Sequence, residues 1–171
     1  MPGRDDGDMD SETTLLIDCL TQQRSHVIGI LDGLSDEDLH RPVLPSGWTC
    51  LGLVNHLALD VEQFWFQEVV AGETSDPGAP DGEASAWNVP VGTPPGEVFA
   101  RYARASERAD TVIGRTPLAT PPAAWPPFFG SWRLVDLRAV VLHVIAETAC
   151  HAGHLDAARE LIDGRTWLIL G

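Results

Sequence analysis

The sequence predicts an all-α chain, a four-helix bundle with crossover connections. Three observations carry that expectation. Apolar residues recur at three- and four-residue steps through four long segments. Capping residues and glycine stops bracket those segments. No stretch alternates apolar with polar residues as a half-buried strand does. With 171 residues, 44% of them hydrophobic, residues 11–171 are expected to form one domain with a core of its own.

Residues 1–10 (MPGRDDGDMD) read as a flexible acidic tail. Ser11 can cap a first helix to about Leu34, with Leu16, Leu20, Val27 and Leu31 near one face. Ser35 and Asp38 have the spacing of a short capping box, and Pro42 and Pro45 end the brief turn that follows. Thr49 caps a second helix to about Ala71, whose inward stripe is Leu53, Leu57, Val61 and Phe64; Gly72 stops it. Residues 73–92 form a Gly/Pro-rich loop with one large apolar residue, Trp87. Thr93-Pro94 opens a third helix carrying Val98, Tyr102, Ala105, Ala109 and Val112 inward. Prolines and glycines keep residues 114–132 irregular, while Trp125, Phe128, Phe129 and Trp132 within them should pack down. The fourth helix runs from about Leu134 to Ile162 and ends at Asp163-Gly164. Two long links among four helices imply crossovers rather than hairpins.

The formal charge of −14 argues against nucleic acid and anionic membrane as partners, since both would be repelled. No apolar run is long enough to span a bilayer. The N-terminus lacks the apolar stretch of a signal peptide, and three widely spaced cysteines make no disulfide framework. A reducing cytoplasm is the expected setting.

On the fourth helix the polar residues fall in an unusual place. At about 100° per residue, Glu147, His151 and His154 project near the arc of Val140, Val144, Leu155 and Ala158. A carboxylate on an apolar face is costly unless it is paired, protonated or metal-bound. Glu147 and His151 stand one turn apart, about 6 Å along the axis, near enough to aim at one ion. His56, between Leu53 and Leu57 on the second helix, offers a third ligand from across the bundle, with Asp60 one turn later. Two histidines and one carboxylate suit zinc with an open position, and also nickel, iron or manganese. The bland alternative is a carboxyl bonded to His143, His151 or an arginine, with an ordinary core histidine opposite.

Other patterns carry less. There is no H-E-x-x-H, nucleophile elbow, Walker or dinucleotide glycine motif. Glu37-x-x-His40 has di-iron spacing without a second copy. Cys150 falls with Ala139, Ala146, Gly153 and Ala157 on a small-residue stripe, which reads as a close helix contact or a homodimer surface.

The stretches SGWTCLGLVNHLALDVEQFWF and LHVIAETACHAGHLDAARELIDG resemble the DinB-like (YfiT-like) metalloprotein superfamily, over about Thr13 to Gly164. The resemblance is closest to its actinobacterial branch, near the mycothiol-dependent maleylpyruvate isomerases. It implies a four-helix bundle holding a divalent metal at the positions of His56, Glu147 and His151, with His154 as a nearby polar group. The 171 residues carry no match to the isomerases' additional C-terminal domain, so their isomerisation is the less expected reaction. The expectation that follows is a metal-dependent enzyme activating a low-molecular-weight thiol, similar to mycothiol, as co-substrate. The thiol would be used for S-transfer to, or isomerisation of, a small electrophile. His154 or Asp60 would shuttle a proton, and Trp125, Phe128 and Trp132 would line a binding pocket. Metal-dependent hydrolysis of a small ester or amide, and non-catalytic metal or ligand binding, remain the alternatives.

Overall fold

The structure, a computed structural model, describes residues 11–73 and 86–167; the expected acidic tail and most of the loop at 73–92 lie outside them. Among the described residues there is no strand, and no helix is long and apolar enough to cross a membrane. The elements are α1 (Ser11–Leu31), α2 (Asp36–His40), α3 (Cys50–His56) continued by a π-helical segment (Leu57–Val70), α4 (Pro95–Arg115), a 3₁₀ turn (Pro127–Phe129) and α5 (Leu137–Asp163).

Side-chain pairs fix the directions of the four long helices. Glu12 meets Arg138 near the starts of α1 and α5, and Ile30 meets Arg159 near their ends, so these two run parallel. Asn55 meets Arg101 and Glu73 meets Arg108, so the second long helix and α4 also run parallel. His56 faces His151 while Trp65 faces His143, which sets the second helix antiparallel to α5. The order is up, down, down, up. The main packing is α1 on α5 and the π segment on α4, with consecutive long helices α1 and α3 placed diagonally. The crossover connections expected from link length are therefore present.

Local chemistry explains the ends. Ser35 and Thr49 accept from Asp38 and Gly52 backbone N–H at 3.1 and 2.9 Å, as their spacing predicts. The first helix stops at Leu31, earlier than expected, with Gly33 in the left-handed region. Arg159, buried on α5, donates to the freed carbonyls of Ile30 and Asp32 at 2.7 and 2.9 Å. Pro95 rather than Pro94 is the first residue of α4, because Pro94 holds extended angles. The fourth long helix starts at Leu137, three residues later than expected, because the Asp136 side chain caps it through Ala139 N–H.

The second helix departs most from expectation. After His56 it winds with i→i+5 hydrogen bonds, wider than the 3.6 residues per turn of an α-helix. Its buried pairs therefore recur every four residues: Leu57 and Ala58, Val61 and Glu62, Trp65 and Phe66, Val69 and Val70. The expected inward Phe64 is rotated to the margin, and Trp65 takes its place. On α4 the register likewise buries Ile113 in place of Val112.

Glu62, fully buried by this winding, is held by the Arg24 guanidinium through two bonds of 2.7 and 2.8 Å, and Arg24 also reaches Asp110 at 2.7 Å. Burial pushes the Glu62 carboxyl up against the pull of Arg24, whose guanidinium stays charged. The predicted close helix contact at Cys150 is not formed: Ala146, Cys150, Gly153 and Ala157 are exposed, and no neighbouring atom stands where a Gly153 side chain would begin. Helical angle gives direction, but only a neighbour makes a contact.

Candidate metal centre

His56 is the last α-helical residue before the wider winding begins. Its Nδ1 lies 2.8 Å from Asp60 Oδ2. A carboxylate only accepts, so Nδ1 carries the proton and Nε2 presents a lone pair. That nitrogen lies 3.9 Å from Glu147 Oε1. One turn along α5, the His151 ring stands edge-on to His56 with centroids 5.0 Å apart. One ligand-type atom from each of His56, Glu147 and His151 lies within 4.8 Å of the others. Side-chain rotation can close that spacing onto one ion with bonds of about 2 Å.

The electrostatics suit a cation. Burial, reinforced by the neighbouring His56, pushes the His151 imidazole down to about 4, against the pull of Glu147. At neutral pH it is a neutral base with a free lone pair, so an ion need displace no proton from it. The donor set is the two-histidine, one-carboxylate arrangement of open zinc sites. All three side chains are half-buried at the margin of the core, and His154 is exposed. The expectation that Glu147, His151 and His154 share the core-facing arc of α5 is thereby refined: Val144, Thr148, Ala152 and Leu155 lie on its buried face, and Glu147 and His151 flank it.

The remaining candidates form a surrounding layer. Asp60 sits on the far nitrogen of His56, away from the shared point. His154 Nδ1 lies 3.4 Å from His151 Nδ1, on the solvent side. Trp125, Phe128 and Trp132 join Phe129 and Trp65 in one aromatic cluster, with Phe128 73% and Trp132 43% exposed, so the wall they make is open. The link to this cluster is fixed by Ala123 and Ala124 N–H donating to the carbonyls of Val70 and Val69, the last of the π segment. His143 joins cluster to centre: its ring packs edge-on to Trp65 and Trp132, and its Nε2 lies 3.3 Å from Glu147 Oε2. The alternative pairing of Glu147 with His143 is thus present, and it leaves Oε1 turned toward His56.

Two residues at the centre escaped the sequence reading. Trp87 stacks on His56 at 4.2 Å and 19° and stands edge-on to His151. Its segment is drawn against α3 because Gly52 has no side chain and because Asn55 Nδ2 donates to the Ala86 carbonyl at 2.6 Å. Trp48, the second, approaches His154 at 6.3 Å. A lone tryptophan inside a Gly/Pro-rich stretch was the available signal for Trp87. Cys50 is buried, which pushes its thiol up to about 11, and Cys150 lies on the exposed stripe rather than with the three ligand residues.

Compared with known families, residues 15–164 match the family model described as mycothiol-S-transferase. No curated protein matches, and no solved structure matches.

Proposed function

The chain belongs to the mycothiol-S-transferase family, within the DinB-like superfamily, and from that membership we propose that it joins the sulfur of mycothiol to a small electrophile at the His56–Glu147–His151 cluster. The observation that carries the proposal is the convergence of a carboxylate and two imidazoles, one of them kept neutral, from helices far apart in sequence.

A divalent cation bound there, zinc by its donor set and otherwise nickel, iron or manganese, would favour the thiolate of a bound thiol at neutral pH. The protein's own groups do the rest. Asp60 fixes the His56 tautomer and ring orientation. His143 restrains one oxygen of Glu147 and leaves the other for the cluster. His154, exposed and beside His151, takes the thiol proton out to solvent. The aromatic wall of Trp125, Phe128 and Trp132 seats the electrophile on the Glu147 side. In the reaction the S–H bond breaks, an S–C bond forms, and the electron pair leaves with the displaced group or moves into the acceptor ring or double bond.

The test combines elemental analysis of the purified protein with transfer of mycothiol to a model electrophile. His56→Ala and His151→Ala are expected to lose metal and transferase activity together. Turnover at the wild-type rate in both variants, or ester hydrolysis that proceeds without thiol, would overturn the reading.

A further inference from the structure

On the other side of Trp87 from the aromatic wall, a groove of about 800 Å³ opens between α2 and residues 87–94. Its lining includes Glu37, Arg41, Thr49, Asn88, Thr93 and Trp87. A smaller hollow shares Gly47, Trp87 and Asn88 with it and extends to Trp48, which approaches His154. Trp87, which stacks on His56, is therefore a wall common to the groove and the His56–Glu147–His151 cluster.

The lining selects a chemistry. Asp36 and Glu37 add negative charge, while the Arg41 guanidinium is shared with Asp38 at 2.7 Å, so an anion gains little. Carboxylates, an amide, hydroxyls and a guanidinium stand among the apolar Val89, Val91 and Pro94, a lining that matches a ligand with ring C–H faces and hydrogen-bonding groups at several points. Trp87, with one face covered by His56, adds apolar surface suited to the C–H face of a saturated ring. The volume falls within the usual range for small-molecule sites, about 300–1,000 Å³, and two sugar-sized rings fit in it.

We propose that this groove binds the uncharged, hydroxyl-rich body of the thiol co-substrate, two sugar-like rings, and so delivers the thiol past Trp87 to the His56–Glu147–His151 cluster. The proposal rests on the transferase reading above and adds to it where the co-substrate's bulk resides. Mycothiol has this form, its cysteine being carried on a glucosaminyl-inositol. The electrophile and the thiol then approach from opposite sides, the first over the aromatic wall and the second along the groove.

The experiment titrates N-acetylglucosaminyl-inositol, whose nitrogen is a neutral amide as in mycothiol, into the full chain by calorimetry, once with metal and once after chelation. It then compares KM for mycothiol with KM for N-acetylcysteine. Binding is expected with and without metal, weakened at least tenfold by Glu37→Gln and by Asn88→Ala. The same two variants should raise KM for mycothiol at least tenfold relative to that for N-acetylcysteine. Failure of the sugar to bind either form, or equal KM values for the two thiols in an active wild-type enzyme, overturns the groove and leaves the transferase reading standing. Binding that Glu37→Gln and Asn88→Ala both leave intact overturns it as well. Variant-sensitive binding in a protein that transfers no thiol keeps the groove and removes the catalytic reading.

Discussion

Gly52→Ala sets two forces of known sign against each other. Replacing glycine with alanine in a helix ordinarily stabilises by up to about 1 kcal/mol. Here the added carbon would stand 2.3 Å from the Trp87 carbonyl oxygen and 3.1 Å from Thr49 Oγ1. Ordinary contact begins at 3.4 Å. The Trp87 backbone must therefore retreat by 3.4 − 2.3, about 1.1 Å, from a helix that cannot yield. Such overpacking costs about 1–3 kcal/mol. The same movement strains the bond from Asn55 to the Ala86 carbonyl, which is worth about 1 kcal/mol. The net expectation is a loss of about 1–2 kcal/mol, or about 3–6 °C in Tm for a chain of this size. Trp87 would also shift off His56, changing tryptophan fluorescence. Gly153→Ala is the control: it lies within α5, meets nothing within 4 Å, and should stabilise by about 0.5–1 kcal/mol. Thermal denaturation of both variants decides the matter. A Gly52→Ala protein at least as stable as wild type, with unchanged fluorescence, would refute the close-approach argument.

Arg24→Met should destabilise by about 3–5 kcal/mol, because it leaves the Glu62 charge buried without a partner; a free energy of unfolding in urea that falls by less than about 1 kcal/mol would contradict this. Asp60→Asn should weaken metal binding about tenfold, near the lower end of the usual range for such orienting groups because Asp60 is half exposed; chelator competition measures it, and unchanged affinity would remove Asp60 from the site. In metal-free protein the His151 imidazole titrates at about 4, below its unfolded value of about 6.5. The unfolded chain therefore takes up a proton that the folded chain refuses, and stability falls as pH drops from about 6.5 toward 4 while being unaffected by this group above that window. His151→Asn should flatten this part of the denaturation-against-pH curve, and parallel curves for the two proteins would show that another group is responsible.

The convergence of His56, Glu147 and His151 was legible in the sequence because two of the three sit at i and i+4 on one helix, a spacing that survives any detail of packing. What surrounds it was less legible, for identifiable reasons. The inward role of Trp65 in place of Phe64 depends on a change of winding after His56, which a 3.6-residue period cannot register. The burial of Arg24 and Arg159 depends on acceptors from other helices, Glu62 for one and the Ile30 carbonyl for the other. The place of Trp87 depends on a glycine and an asparagine more than thirty residues earlier.

These failures share a direction that bears on the chemistry. Residue angle on α5 points Glu147 and His151 toward the core, yet the Glu147 side chain keeps 27% of its exposure. A cluster sealed in the core would have had its carboxylate neutralised or paired, as Glu62 is by Arg24 at full burial. The two glutamates thus mark two solutions to one problem on the two sides of the second helix. Glu62 has a permanent countercharge and no room for a ligand. Among the described residues Glu147 is paired with imidazoles alone, the neighbouring His151 is kept uncharged, and the carboxylate remains partly open to solvent. An exchangeable cation and a substrate would need the second arrangement, and the second helix presents both, Glu62 to Arg24 of α1 and His56 to His151 of α5.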